Sequence, residues 1–83
     1  MLEIKVLGPG CPNCKKLEEI ARRVVNGLGA QANFEKVTDY QEIIKLGVLK
    51  TPGLIINDEV VSSGRIPSES EVAEWVNQAL KAS

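Results

Sequence analysis

Gly8-Pro9-Gly10-Cys11-Pro12-Asn13-Cys14 decides the reading of this chain, because it holds the only two cysteines at Cys-x-x-Cys spacing. Leu2-Glu3-Ile4-Lys5-Val6-Leu7 upstream alternates as a strand does. Downstream, Leu17, Ile20, Ala21, Val24, Val25 and Leu28 recur on one helical face. The motif therefore sits where a strand turns into a helix. Pro12 suits the first helical position, where no backbone donor is needed. Cys11 is then expected as the N-cap residue, near unpaired N–H groups at the positive end of the helix dipole. Such surroundings lower a cysteine pKa from ~8.5 into the range of roughly 3.5–7.5. Lys15 and Lys16 add positive charge, and Cys14, one turn on, is within disulfide reach but more covered. The pattern points to a dithiol–disulfide redox centre.

The rest of the composition narrows the alternatives. Eighty-three residues with 43% hydrophobic and 25% charged side chains suit one small globular domain. A net charge of −1 offers nothing to nucleic acid or an anionic membrane. No apolar run approaches the ~20 residues of a membrane span, and no export leader is visible. Two closely spaced cysteines do not make the framework of a secreted disulfide-rich domain, so a cytoplasmic motif is expected. Histidine is absent. That excludes Cys-His and Ser-His nucleophile pairs, and a four-ligand zinc site within one chain.

Working outward, the first helix is expected over about 12–28. Its charged face (Lys15, Lys16, Glu18, Glu19, Arg22, Arg23) reads as solvated, with Glu18–Arg22 and Glu19–Arg23 as i,i+4 pairs. Ala32–Val37 reads as a second strand with Phe34 inward. Asp39 and Glu42 have capping-box spacing ahead of a short helix through Leu46, whose apolar members are Tyr40, Ile43, Ile44 and Leu46. Leu54-Ile55-Ile56 and Val60-Val61 flank Asn57-Asp58, a hairpin signal. Ser68 with Glu71 opens a last helix with Val72, Trp75, Val76, Ala79 and Leu80 along one stripe. A parallel strand–helix–strand crossover followed by an antiparallel hairpin implies a mixed four-stranded sheet flanked by helices.

That order, with Cys11-Pro12-Asn13-Cys14 at the first strand–helix junction and Thr51-Pro52 before the third strand, resembles the thioredoxin fold. The chain looks like its minimal, glutaredoxin-sized members, the small redox-active disulfide proteins, and the likeness covers nearly all of the sequence. It implies an α/β domain over residues 1–83, with sheet order 2-1-3-4. The first and last helices should share one face and the middle helix cover the other. It also implies that the Cys11 thiolate attacks a substrate disulfide and that Cys14 resolves the mixed disulfide. Pro52 matches the family's cis-proline, with the Thr51 backbone turned towards substrate. Disulfide-containing proteins and an upstream disulfide reductase are the implied partners of a cytoplasmic monomer. No cofactor beyond the Cys11–Cys14 disulfide and no metal is expected. The chain departs from the family at Gly10, where thioredoxins carry tryptophan, and at Lys5, where they carry an acid. Asn13 replaces the aromatic common in glutaredoxins, and Ser63-Gly64 only loosely echoes their glutathione loop.

Two other classes stay open on the residues alone. The thiolates could carry Cu(I), Zn²⁺ or a shared iron–sulfur cluster. Copper chaperones also place Cys-x-x-Cys after their first strand, but their elements run strand, helix, strand, strand, helix, strand. A non-catalytic adaptor module is the remaining possibility.

Overall fold

Leu2–Leu7 (β1) is the apolar strand around which the computed structural model is arranged. The structure describes residues 2–8 and 12–82, so the expected N-cap at Cys11 lies outside it, as do Pro9 and Gly10. Helix α1 spans Pro12–Gly27, with Pro12 in the expected first position. Strand β2 (Ala32–Val37), helix α2 (Tyr40–Lys45), strands β3 (Gly53–Ile56) and β4 (Glu59–Ser63), and helix α3 (Glu69–Ala82) follow.

The sheet has the order β2-β1-β3-β4. β1 pairs in parallel with β2, Leu2 opposite Ala32 through Leu7 opposite Val37. It pairs antiparallel with β3, which in turn pairs antiparallel with β4. Asn57 and Asp58 turn the hairpin with φ of 49° and 67°, the left-handed pair that a two-residue turn of this kind demands. Asn57 also ties the turn to β1: the Glu3 N–H donates to its Oδ1 at 2.9 Å, and its own N–H donates to the Glu3 carbonyl at 2.8 Å.

Alternation along the central strands divides the core in two. Leu2, Ile4, Val6, Leu54 and Ile56 face α1 and α3, meeting Leu17, Val24, Val25, Val72 and Val76. Leu7 and Ile55 face the other way and pack with Ile43 of α2 and Val48. The expected fold class and helix placement thus hold. Trp75 and Phe34 pack against the edge of the larger cluster, and the Arg22 guanidinium lies 4.5 Å from the centre of the Phe34 ring.

Several local expectations change. Only Ile43 of the short helix is fully buried, while Ile44 and Tyr40 are exposed, because α2 touches the sheet along a single narrow line. Asp39 does cap α2, but it accepts from the Gln41 N–H, and Glu42 pairs with Lys45 instead of completing a capping box. Glu18 and Arg22 pair as expected at 3.1 Å. Arg23 turns away from Glu19 to reach Glu69 on α3. The Ser68–Glu71 box forms in both directions, each N–H donating to the other side chain at 3.2 Å.

Candidate functional site

β1 ends where the site begins. The Gly8 N–H donates to the Val37 carbonyl at 2.8 Å, carrying the β1–β2 ladder one residue further. α1 starts beyond it with its first turn laid back over the strand end. Cys14 is on the inward face of that turn, 6% exposed and among the core residues. The approach is so close that a Cβ on residue 8 would overlap the Cys14 sulfur. Glycine is the residue that leaves room for the thiol.

The loop before β3 closes the site from the other side. The Thr51-Pro52 peptide bond is cis, as the resemblance implies. A Cβ on Gly8 would come within 3.8 Å of the Thr51 Cβ, so Thr51 and Cys14 flank the same glycine. Pro52 is buried, and its carbonyl accepts from the Gly64 N–H at 2.9 Å, which ties the loop to the end of β4. Gly53 passes so near Val48 that an added Cβ would stand 2.8 Å from a Val48 methyl. Three separated parts of the chain, at residues 8, 14 and 51–52, therefore meet at one end of the sheet. Cys11, the fourth expected site residue, lies outside the described residues.

Beside Cys14 a small cleft of about 50 Å³ opens between α1 and the end of β2. Val6, Gly8, Lys15, Glu18, Lys36 and Thr38 line it together with Cys14. Glu18 is one helical turn beyond Cys14 on the same face, its side chain only 15% exposed. One carboxylate oxygen takes the Lys36 ammonium at 3.0 Å and the other the Arg22 guanidinium at 3.1 Å. The hydrogen bond from Lys36 holds the Glu18 carboxyl below the usual carboxylate range, with Arg22 adding to it against the opposing effect of burial. Lys5 lies elsewhere. It lines a hollow on the α2 side with Glu35, Val37 and Glu42, and its ammonium is 4.0 Å from Asp58.

Arg65, in the loop after β4, grips Glu71 with both guanidinium nitrogens, at 3.1 and 2.6 Å. Its carboxylate partner thus comes from α3 of the same chain. Reading along the sequence missed Gly8, Glu18 and Lys36 as site residues. The i,i+4 spacing of Cys14 and Glu18 was a visible signal; the placement of Lys36 depends on the parallel register of β2 and has none.

This is the architecture of a small thioredoxin-fold protein. A family model for the thioredoxin domain matches residues 2–77. A thioredoxin of Methanothermobacter thermautotrophicus is 39% identical over 72 residues, covering 87% of this chain and 94% of that protein. A thioredoxin of Methanocaldococcus jannaschii is 38% identical over 81 residues, covering 98% and 93%. A probable thioredoxin of Archaeoglobus fulgidus is 33% identical over 73 residues, covering 84% and 79%. The chain belongs to the thioredoxin domain family, and its function is of the thioredoxin-like redox type.

Proposed function

We propose that the protein is a thiol–disulfide oxidoreductase that reduces protein or small-molecule disulfides through a Cys11/Cys14 dithiol cycle. The Cys11 thiolate attacks one sulfur of the substrate disulfide, and the other sulfur leaves as a thiolate and takes up a proton. Cys14 then gives up its proton and attacks Cys11, forming the Cys11–Cys14 disulfide and releasing the second substrate sulfur as a thiol. Two electrons pass from the dithiol to the substrate. Thr51 and Pro52 form the substrate-binding edge, where an extended segment pairs with the backbone next to the cysteines. Disulfide-containing proteins are the substrates, and an upstream disulfide reductase returns the pair to its dithiol form. The protein acts as a monomer in the cytoplasm, without metal or cofactor. Among the described residues no helix is long and apolar enough to cross a membrane.

The observation that carries this reading is the convergence of Cys14, Gly8 and the Thr51-Pro52 loop at the end of β1, from which the chain passes into the motif. The test is turnover of insulin disulfides with dithiothreitol as electron source. Cys11→Ser should abolish it, and Cys14→Ser should trap substrate on Cys11. Full activity in Cys11→Ser removes the nucleophile assignment. Tight stoichiometric binding of Cu(I) or Zn²⁺ by a protein without reductase activity replaces the reading with metal carriage.

A further inference from the structure

The resolving step poses a question of proton balance. A thiol attacks a disulfide as its thiolate, so Cys14 has to lose a proton from a position almost closed to solvent. A cleft lies beside it on this face of α1, and at about 50 Å³ it is large enough for water. Few of the groups lining it can take a proton. Lys15 and Lys36 are ammonium ions with no lone pair, Val6 and Gly8 bring no titratable side chain, and the Thr38 hydroxyl can only pass a proton on. Among the described residues of the lining Glu18 is the one carboxylate, and both of its oxygens are held by cations, Lys36 from β2 and Arg22 from α1.

On the dithiol reading above, we propose that Glu18 is the proton acceptor for Cys14 during resolution, reached through water in the cleft. When Cys14 attacks Cys11 in the mixed disulfide, its proton passes to Glu18. The bond between Cys11 and the substrate sulfur breaks, and the departing thiolate is protonated from solvent or by the same carboxyl. Glu18 acts through Cys14 and touches no substrate, so it is a positioning and proton-transfer residue. Its ion pairs with Lys36 and Arg22 lower its pKa and so favour the carboxylate form that can accept a proton. The same pairs make it a weak base, which puts its contribution at the low end for general-base catalysis, on the order of a hundredfold.

The experiment uses the reduced protein and Ellman's reagent. The first equivalent of coloured thiolate reports attack by Cys11, and the second reports displacement by Cys14 from the Cys11 adduct. In Glu18→Gln the first release should match the wild type. The second should be slower, on the order of a hundredfold below the ordinary thiol pKa of ~8.5, and should converge with the wild type above it. Glu18→Asp should restore part of the rate at low pH, which a purely structural role does not predict. A second release within about twofold of the wild type at every pH, or one faster than the wild type, overturns the proposal. Wild-type protein that gives no second release overturns the dithiol reading itself, a separate outcome.

Discussion

Gly8 and Cys14 lie in such close contact that the backbone of one forms the wall against which the sulfur of the other rests. This contact joins the end of β1 to the first turn of α1 and leaves no volume for a side chain at residue 8. Gly8→Ala should therefore destabilise the fold by about 1–3 kcal/mol, the range for overpacking a tight interior. It should also displace Cys14 and slow the second thiolate release. Chemical denaturation of the reduced protein checks the first effect, and an unchanged midpoint would mean that α1 shifts freely.

Ile43 and Ile44 are neighbours with opposite environments, 1% and 57% exposed. Ile43 fills the smaller cluster with Leu7, Val48 and Ile55, so it pins α2 to the sheet. Ile43→Ala should cost about 2–5 kcal/mol, whereas Ile44→Ala should stay within ~0.5 kcal/mol. Comparable losses at both positions, measured by urea unfolding, would contradict the observed seating of α2.

Ser62 on β4 is 6% exposed, and its hydroxyl oxygen has no hydrogen-bond partner among the described residues. A buried polar group without a partner costs about 1–3 kcal/mol. Ser62→Ala should accordingly be neutral or stabilising, by up to about 1 kcal/mol, which raises Tm by roughly 4–8 °C in a domain of this size. A fall in Tm would show that the hydroxyl is bonded after all.

Glu71 is held at about 2, down from its ordinary 4.5, first by the Arg65 guanidinium and then by the Ser68 backbone N–H. A carboxyl lowered on folding contributes stability above its unfolded pKa and loses it as the pH falls through the folded one. The wild type should thus exceed Glu71→Gln in stability at neutral pH. The gap should narrow between pH 4.5 and about 2 and close below that. The pair is half-exposed, so salt should shrink the gap. A difference independent of pH would assign Glu71 a packing role instead.

Much of this molecule was legible in order along the chain. The stripe at Leu17, Val24 and Val25, the Asn57-Asp58 turn and the Ser68–Glu71 box are short-range devices, and each formed as its residues dictate. Cys14 was expected to be covered and is, because helical periodicity turns it inward. The charged pairs were less legible. Arg23 left Glu19 for Glu69, 46 residues away, since an exposed arginine takes whichever carboxylate packing brings near. The burial of Ile43 in place of Ile44 is set by the line along which a two-turn helix meets the sheet, and a six-residue helix has too few positions to declare its inner face.

The sequence by itself determined the seven elements, their order and the junction that carries Cys11 and Cys14, because caps, turns and periodicity act over a few residues. Only the tertiary structure decided that Gly8 makes room for the Cys14 sulfur, that Thr51-Pro52 stands beside them, and that Glu18 meets Lys36 across the cleft. Those relationships depend on the parallel register of β1 with β2 and on how closely α1 approaches the sheet. Both are outcomes of packing many residues at once, and neither is written in any one stretch of chain.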